Sequence, residues 1–305
     1  MSSPVPVTVE GRRLRLSNLD KVLYPEVGFT KGEVIDYYTR VAPVLLPHLA
    51  GRALTVKRYP NGVEGQFFFE KNAPRGTPDW VRTARLPAPG STMGRDEIDY
   101  VLVEDLPTLV WLANLAALEL HTPQWRVGPR GAARGADQLV LDLDPGPPAT
   151  VIECCAVALL LRELLEADGL TPLAKTSGNK GLQVYAAVRE TPTQRTSDYA
   201  RALAQRLEQE RGELVVSRMT KSLRPGKVLV DWSQNNAAKT TVSVYSLRAR
   251  PTPTVSAPVD WDEVEQTARR RGRLGFTAQD VLARVEDDGD LFAPLLTGRN
   301  RPKLP

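Results

Sequence analysis

The sequence contains few residues that could cross-link the chain or bind a soft metal. It has only two cysteines and two histidines in 305 residues. The cysteines, Cys154 and Cys155, are neighbours in an apolar stretch, which is typical of small buried side chains and not of a disulfide or a zinc site. A disulfide scaffold is therefore not expected, and the composition indicates a reducing cytoplasm.

Long apolar runs are also missing. No stretch approaches the roughly 18 consecutive apolar residues that a membrane helix needs, and the N-terminal segment lacks the apolar core of a secretory signal. The net charge is only +4, so basic residues matter chiefly where they cluster. With 42% hydrophobic side chains the chain can form a sizeable core. We expect a soluble cytoplasmic protein with no membrane partner.

Helical and strand-like segments alternate without a regular order. Thr30 and Glu33 have the spacing of a capping box and predict the start of a helix, which Pro43 and Pro47 are expected to end. An apolar stretch predicts a second helix over residues 109–120. A third is predicted over 151–167, followed by a turn, a strand and further short strands. Because strict βαβ repetition and a GxGxxG fingerprint are both absent, the pattern favours an α+β fold over a Rossmann-like sheet.

A composition change near residue 252 predicts the domain organisation. A segment rich in Thr, Pro, Ser and Val follows the last predicted strand. We therefore expect a catalytic core over residues 1–251, in which an N-terminal α/β part and a catalytic part are merged, and a C-terminal helical tail over 252–305.

Paired carboxylates follow an apolar run in LVLDLDPG. Asp142 and Asp144 are two residues apart in a predicted strand, so both side chains project from one face. Two such charges repel each other unless a divalent cation lies between them. An isolated pair of this kind is equally compatible with a solvated strand end.

A third acid favours the metal site. Asp231 ends another apolar run, KVLVD, as Asp142 does. Three acids at strand ends can hold two Mg²⁺ or Mn²⁺ ions roughly 3.5 to 4 Å apart, the arrangement used for in-line nucleotidyl transfer.

A turn with the composition of a phosphate cradle lies between these acids in the sequence. TSGNKG combines hydroxyls, glycines and Lys180, so backbone N–H groups and a cation could surround a triphosphate, although a plain turn has the same pattern. Basic residues elsewhere could neutralise more phosphate charge, or be ordinary solvated charges: Lys57, Arg224, Lys227, Lys239 and Arg248. His121, expected at a helix end, could contact a phosphate or be a packed neutral histidine, whereas His48 is interpreted as structural.

Several of these segments occur together in one order. LSNLDKVLYP, TKGEVIDYY, GQFFFEK, LELHTPQW, LVLDLDPG, TSGNKGLQVY, MTKSLRPGKVLVDWSQN, KTT and YSLR run from about residue 16 to residue 248. In this set the chain resembles the polymerase domain of bacterial ligase D, a branch of the archaeo-eukaryotic primase superfamily, in a stand-alone form. The resemblance implies an α+β primase-polymerase fold, in which an RRM-like antiparallel catalytic sheet packs against a second sheet and flanking helices.

The resemblance also implies roles for individual residues. Asp142 and Asp144 are expected to ligate both metal ions, and Asp231 to ligate the catalytic ion and help deprotonate the primer 3′-OH. The nucleotide is expected to contact Lys57, Phe68, Phe69, His121, Ser177, Lys180, Gln183, Arg224, Gln234 and Arg248. A 5′-phosphate on the downstream side of a DNA break is expected to contact Asn18, Lys21 and Lys31, which positions the enzyme without reading sequence.

The function implied is a DNA repair primase-polymerase. It would add ribonucleotides or deoxyribonucleotides to primer 3′ ends at gaps, nicks or overhanging double-strand-break ends, with two Mn²⁺ or Mg²⁺ ions as cofactors. The expected partners are NTPs, DNA with a 5′-phosphate, Ku and a separate DNA ligase, and the expected location is the cytoplasm at the nucleoid.

One residue departs from the family pattern and leaves an alternative open. The family usually has histidine after Gly-Leu in this motif, whereas this chain has Gln183, which can donate a hydrogen bond but cannot carry a proton. A catalytically weakened module that binds and bridges DNA ends is therefore the second hypothesis. A two-metal nuclease is the third, but it gives the phosphate cradle no role.

Overall fold

The computed structural model describes residues 4–88, 94–270, 274–296 and 301–305. The first half of the chain contains β1 (Val5–Val9), β2 (Arg12–Leu16), β3 (Val22–Tyr24), β4 (Phe29–Thr30), α1 (Lys31–Leu49), β5 (Thr55–Arg58), β6 (Phe68–Glu70), β7 (Thr83–Pro87), β8 (Glu97–Val101), α2 (Leu106–Asn114), β9 (Ala117–Thr122), β10 (Trp125–Val127) and β11 (Ala133–Pro145).

The second half contains the remaining regular elements: α3 (Val151–Ala167), β12 (Pro172–Thr176), β13 (Leu182–Thr191), α4 (Thr193–Glu210), β14 (Val215–Val216), β15 (Val228–Asp231), β16 (Thr241–Val242), β17 (Pro258–Val259), α5 (Trp261–Ala268) and α6 (Ala278–Asp288). Short 3₁₀ turns occur at Lys221–Leu223, Trp232–Asn235 and Ala293–Leu295. None of the helices in the described ranges is long and apolar enough to cross a membrane.

The central sheet has the strand order β14-β15-β11-β13-β12-β17, with β10 paired to the start of β11. Its pairings are antiparallel except for β14 with β15. One face of β11 contributes Leu141 and Leu143 to a core shared with α3 and α4. The other face contributes Val140 to a core shared with α1 and α2. Because successive strand residues point to opposite faces, Asp142 lies on the face turned away from α3 and α4.

A second sheet, in the order β16-β9-β5-β6, packs on that other face. Helix α1 attaches to it through Tyr38, whose hydroxyl donates a 2.6 Å hydrogen bond to the Leu118 carbonyl of β9. The structure therefore confirms the expected α+β fold, with an antiparallel central sheet, a second sheet and flanking helices.

The predicted start of α1 is confirmed, but its predicted end is wrong. Thr30 and Glu33 form the expected capping box. Pro43 and Pro47, however, lie inside the helix, which continues to Leu49. A proline in a helix interior removes one backbone hydrogen bond and costs ~3 kcal/mol. Leu45 and Leu49 are fully buried beyond the first proline, so burial of this face compensates for the lost bonds.

The helix predicted over residues 109–120 is also partly wrong. Helix α2 ends at Asn114, Ala116 has a positive φ of 59°, and the chain then enters β9. The apolar residues of α2 continue into β9 without a glycine or proline between them, so the sequence does not mark the end of the helix at Asn114, and the short alternation Leu118-Glu119-Leu120 of the strand was included in the predicted helix. His121 lies in this strand and not at a helix end.

Other local predictions agree with the structure. Helix α3 has the predicted bounds, and both of its cysteines are buried and free. His48 is 4% exposed and its Nε2 lies 2.9 Å from Asp290 Oδ2, in keeping with a structural role. Residues 258–259 form the edge strand β17 next to β12, and Arg301 donates to the Asp137 carbonyl at 2.9 Å. The division into a core and a tail stays a prediction.

Candidate active site

Four polar side chains lie in one row across the central sheet. Asp231 of β15 is the register partner of Asp142 of β11, and Asp142 is in turn the partner of Gln183 of β13. Gln183 is the partner of Lys175 of β12. Directly opposed residues of antiparallel strands project from the same face, so the row forms one continuous polar strip between apolar neighbours.

Asp144, which is exposed one pleat further along β11, joins the two acids of this strip, partly buried Asp142 and buried Asp231, in a cluster of negative charge. Burial, followed by the charge of Asp144, raises the pKa of Asp142 to about 7. Burial and the charge of Asp231 also raise the pKa of Asp144, while Arg224 and Arg248 oppose the rise. Mutual repulsion of this kind requires that the carboxylates be close together. The three acids predicted from separate sequence segments therefore lie in one place.

The amide of Gln183 and the amine of Lys175 continue the strip away from the acids. Gln183 Nε2 donates a 3.0 Å hydrogen bond to Asp142 Oδ1. Lys175 Nζ donates to Gln183 Oε1, to the Val242 carbonyl at 3.1 Å and to Ser256 Oγ at 2.6 Å. Burial lowers the pKa of Lys175 to about 7, and Asp142 opposes this. Gln183 thus accepts from a buried amine and donates to a buried carboxylate.

The carboxylate of Asp231 is held by its own chain. Its Oδ1 accepts from the backbone N–H of Ser233 at 2.9 Å, and its Oδ2 accepts from Gln234 Nε2 at 2.9 Å. Within the described ranges, no three His, Cys, Asp or Glu side chains converge closely enough to ligate a metal ion in this conformation. The donor set nevertheless fits a hard divalent cation, because it consists of three carboxylates without a soft ligand.

The TSGNKG loop connects β12 to β13 beside the acids, as expected. Ser177 Oγ accepts from the backbone N–H of Gly181 at 3.1 Å and the Ser177 carbonyl accepts from Arg248 Nη1 at 2.9 Å. Gly178 has a φ of 67°, and a Cβ there would lie 2.6 Å from Arg248 Cγ. Lys180 is exposed on this loop. The loop is therefore built closely around Arg248.

A buried carboxylate, Glu119, joins three of the expected nucleotide-binding residues. Its Oε2 lies 2.9 Å from His121 Nε2 and 3.5 Å from Lys57 Nζ. Its Oε1 lies 3.3 Å from Arg248 Nε and accepts from the Ala249 N–H at 3.1 Å. Burial alone would raise the pKa of Glu119. The hydrogen bond to His121 and the surrounding cations outweigh burial and lower the pKa to about 2. Glu119 is therefore ionised and balances part of the local positive charge.

The three consecutive phenylalanines are exposed beside this cluster. Phe69 lies opposite Lys57 in the β5–β6 register, and its ring meets that of His121 edge-on with centroids 6.0 Å apart. Phe67 stacks on Tyr59, and Lys57 Nζ lies 5.0 Å from the Phe67 ring centroid. Phe68 is 45% exposed. The structure thus places Phe67 and Phe69 against the basic cluster, and Phe68 between them in sequence.

Arg224 approaches the acids from the other side. Its Nη2 donates to the Met219 carbonyl at 2.7 Å, while its Nε is buried and has no hydrogen-bond partner among the described residues. The chain packs tightly here, since a Cβ on Gly146 would lie 2.1 Å from the Arg224 carbonyl oxygen. Its charge lowers the pKa of Asp144, which places its guanidinium within electrostatic reach of the acids.

A separate basic pocket lies at the N-terminus of α1. Lys31, the first residue of α1, is 5% exposed and its Nζ donates to the Ser17 carbonyl at 2.5 Å. The Lys21 carbonyl accepts from the Lys31 N–H at 2.8 Å, and Asn18 has a positive φ of 52° in the turn that brings Lys21 there. Burial and the nearby charge of Lys21 lower the pKa of Lys31 to about 8. Two cations at a helix N-terminus form a site suited to an anion.

A large cavity opens next to Phe69. It has a volume of about 1200 Å³ and lies between the β7–β8 hairpin and the starts of β11 and α4. Its lining includes three aromatic side chains, Phe69, Tyr100 and Trp125. It also includes basic side chains: Lys71, Arg75, Arg95 and Arg134.

Three site residues were not identified from the sequence. Glu119 and Lys175 are single charges at the ends of apolar runs, and the isolated charge in each run was the available signal. Charged side chains are almost never fully buried unless they are paired. The partners of Glu119 and Lys175 are distant in the sequence, so their pairing is visible only in the structure. Phe67 was missed because the resemblance directed attention to its two successors.

Comparison with known proteins gives one consistent result. The family model described as "LigD, primase-polymerase domain" matches residues 30–292. The chain is 45% identical over 286 residues to the multifunctional non-homologous end joining protein LigD of Mycolicibacterium smegmatis, covering 93% of this chain and 36% of that protein. It is 33% identical over 282 residues to the bifunctional non-homologous end joining protein LigD of Bacillus subtilis, covering 92% and 44% respectively.

A solved structure matches over a similar extent. The polymerase domain from Mycobacterium tuberculosis ligase D, in complex with DNA, has a TM-score of 0.87 and 42% identity, covering 95% of this chain and 99% of that chain. The chain therefore spans less than half the length of these curated relatives but nearly the whole of the solved polymerase domain.

Proposed function

The chain belongs to the LigD primase-polymerase domain family, and on that basis we propose that it is a template-directed nucleotidyltransferase that extends primer 3′ ends in DNA. The observation that carries the proposal is the union of two features at one site. Three carboxylates lie next to one another across β11 and β15, and a cluster of cations lies beside them. Nucleotidyl transfer needs both, because acids bind the metal ions and cations hold the triphosphate.

The acids would hold two divalent cations, Mn²⁺ or Mg²⁺. Asp142 and Asp144 would ligate both ions, and Asp231 would ligate one and face the primer 3′-OH. When bound, the ions would neutralise the carboxylates and stabilise the charge on the attacking and leaving oxygens. The hydrogen bonds from Ser233 and Gln234 would hold the Asp231 carboxylate in place, and Oδ2, which accepts from Gln234, keeps a second lone pair for a metal ion.

The triphosphate would lie against the TSGNKG loop and the basic cluster. Ser177, Lys180, Arg224 and Arg248 surround the acids on two sides, and an arginine can bind phosphate oxygens with two parallel hydrogen bonds. Lys57 and His121 would extend the cationic surface. The exposed rings of Phe68 and Phe69 would stack on bases, as expected from the resemblance. The exposed ring of Phe67 would do the same. Gln234 would lie near the sugar or base.

DNA would be bound on both sides of a break. The cavity beside Phe69 is large and partly basic, which supports a role in holding the template and primer through their phosphates. The pocket of Asn18, Lys21 and Lys31 would bind a downstream 5′-phosphate. We extend the proposal to the filling of gaps and the extension of broken ends.

The names of the relatives place them in non-homologous end joining. We propose that this chain acts in the same pathway and prefers ribonucleotides. We also propose that it works together with Ku and a separate ligase. A protein that acts on chromosomal DNA would work in the cytoplasm at the nucleoid.

A DNA end-binding module with weakened catalysis is the second candidate. The observation that favours it is Gln183 beside Asp142, where the family usually has histidine, because an amide cannot carry a proton. Retention of all three acids disfavours it, since a binding module has no need of a cluster of negative charge.

One assay separates these functions. A labelled, 5′-phosphorylated gapped duplex is incubated with Mn²⁺ and each NTP or dNTP, using the wild type and the Asp142→Ala/Asp144→Ala double variant. Lengthening by the wild type alone supports a polymerase, and shortening supports a nuclease. Equal binding by both proteins, with extension by neither, supports the end-binding module.

A further inference from the structure

Glu119 determines which nitrogen of the His121 imidazole carries the hydrogen. The Glu119 carboxylate is ionised and can only accept hydrogen bonds, and its Oε2 lies 2.9 Å from His121 Nε2. Nε2 must therefore carry a hydrogen. In the neutral imidazole, Nδ1 is then a bare acceptor.

The remaining ring nitrogen is the one that a ligand could reach. No group among the described residues hydrogen bonds to His121 Nδ1, whereas Nε2 is fully engaged. A phosphate oxygen at neutral pH is also an acceptor, so it cannot bond to an unprotonated Nδ1. Contact between His121 and a phosphate thus requires a second hydrogen on the ring.

The groups around His121 keep its Nδ1 unprotonated in the free protein. Burial lowers the pKa of His121 below its usual value, and the charges of Arg248 on the adjoining loop and Lys57 of β5 lower it further. Only Glu119 raises it. Because the two cations and the one carboxylate leave net positive charge beside the ring, an incoming polyanion would reverse the balance.

We propose that Glu119 is a positioning residue that fixes the Nε2–H form of His121, so that binding of a nucleoside triphosphate draws one proton from solvent onto Nδ1, which then donates to a phosphate oxygen. This inference rests on the proposed function, since it needs a nucleotide in the site. Glu119 stays ionised throughout, and the ring becomes an imidazolium held between the carboxylate and the phosphate. The same arrangement explains why a carboxylate is buried between two cations, Lys57 and Arg248, and a histidine that face an anionic ligand.

The experiment measures proton uptake on nucleotide binding. The protein is mixed with a 5′-phosphorylated gapped duplex whose primer ends in a dideoxynucleotide, so that no chemistry follows. Mn²⁺ is added to saturation first, so that any proton displaced from Asp142 is released before the titration. The complementary NTP in the same Mn²⁺ concentration is then titrated calorimetrically near neutral pH in buffers of different ionisation enthalpy. Glu119→Gln and His121→Gln are compared with Glu263→Gln, which loses the acid of an ion pair with Arg284 remote from the site. Circular dichroism confirms that each variant is folded.

We expect the wild type and the Glu263→Gln control to take up about one proton per nucleotide bound. In His121→Gln the uptake should vanish, because an amide donates to phosphate without protonation. In Glu119→Gln it should fall by more than half and the nucleotide should bind about tenfold more weakly, equivalent to ~1.4 kcal/mol.

Two results would overturn the inference. The first is nucleotide binding by the wild type without proton uptake, or proton uptake by Glu119→Gln equal to that of the wild type. Either form contradicts the inference and leaves the proposed function intact. Absence of both nucleotide binding and primer extension in the wild type contradicts the proposed function, and the inference with it. If Glu119→Gln does not fold, the comparison of wild type with His121→Gln still decides the proton uptake.

Discussion

Asp142 lies directly opposite Asp231 in the antiparallel pairing of β11 with β15. The two residues are 89 positions apart in the sequence, yet the register places their side chains on the same face of the sheet. Asp144 projects from that face one pleat further along. A sheet that brings three carboxylates together, with Asp231 buried, Asp142 partly buried and Asp144 exposed, gives up stability for function, and the first prediction follows from this cost.

The first prediction concerns Asp142 and stability. Its pKa is raised from 3.8 in the unfolded chain to about 7 in the folded protein, so the folded state disfavours the ionised form. Without divalent metal, stability should therefore fall as the pH rises from about 4 through about 7. Asp142→Asn should weaken this fall and raise the melting temperature above neutral pH by a few degrees.

Thermal denaturation in a chelator tests this, and the same scans with Mn²⁺ are the control. Added metal should stabilise the wild type more than the variant, because a ligand of the folded state raises its apparent stability. A variant that melts below the wild type at every pH would be inconsistent with a repulsive acid cluster.

The second prediction concerns Gln183, which bridges Lys175 to Asp142. A neutral histidine can also accept from Lys175 and donate to Asp142, so Gln183→His should keep primer-extension kcat within about threefold. Gln183→Leu should lower kcat about tenfold or more, because two buried polar groups lose their partner. Steady-state kinetics with saturating NTP measures both. An unchanged kcat in Gln183→Leu would mean that the bridge has no role.

The third prediction concerns Gly178 in the loop beside Arg248. Gly178→Ala introduces a Cβ that would lie 2.6 Å from Arg248 Cγ, in addition to a left-handed backbone. Gly169→Ala is the matched control, since it has a similar φ of 75° but nothing within 4 Å of its Cβ. Both should lose about 1 kcal/mol of stability from backbone strain, and Gly178→Ala should lose more, because its Cβ would also lie 2.8 Å from the Val255 carbonyl oxygen.

Only Gly178→Ala should raise the KM for NTP, by about tenfold or more, since it alone displaces an arginine of the site. Denaturant unfolding and extension kinetics on both variants provide the comparison. A similar KM in the two variants would argue that Arg248 does not contact the triphosphate.

The fourth prediction concerns Lys31 and the 5′-phosphate. The Lys31 ammonium is buried, and its pKa is lowered to about 8, so it is charged below that pH and loses its charge above it. The preference for a 5′-phosphorylated gap over a 5′-hydroxyl gap should decline above about pH 8. Lys31→Gln should reduce this preference about fivefold, which corresponds to roughly 1 kcal/mol.

Gel-shift titrations with the two duplexes measure the preference. Arg40→Gln, on an exposed face of the same helix, should leave it unchanged. If Lys31→Gln weakens binding to both duplexes equally, Lys31 contributes only general attraction to DNA.

How much the sequence predicted depends on whether the signal is local. The capping box at Thr30 and the bounds of α3 were predicted correctly because caps and helical periodicity are encoded by neighbouring residues. The end of α1 and the strand β9 were predicted wrongly because distant packing decided them. Burial of one face stabilises α1 beyond its prolines, and the apolar residues of α2 continue into β9 without a glycine or proline to mark the end of the helix.

The site follows the same rule. The acids could be predicted because each ends an apolar strand, and family resemblance supplied their common purpose. Glu119 could not be predicted to matter, since its importance comes from Lys57 and Arg248, which reach it from positions 62 residues before and 129 residues after it in the sequence. The roles assigned to individual residues stay predictions.

The most direct test of the central claim is extension of a labelled primer across a short 5′-phosphorylated gap by the wild type and by Asp142→Asn. The amide keeps the shape of the side chain and can still pair with Gln183, but it binds divalent cations poorly. We expect template-directed, Mn²⁺-dependent extension by the wild type and a ~1000-fold or greater decrease in rate for the variant. Extension at equal rates, or no extension by either protein under any combination of metal and nucleotide, would contradict the claim that this acid row is a polymerase active site.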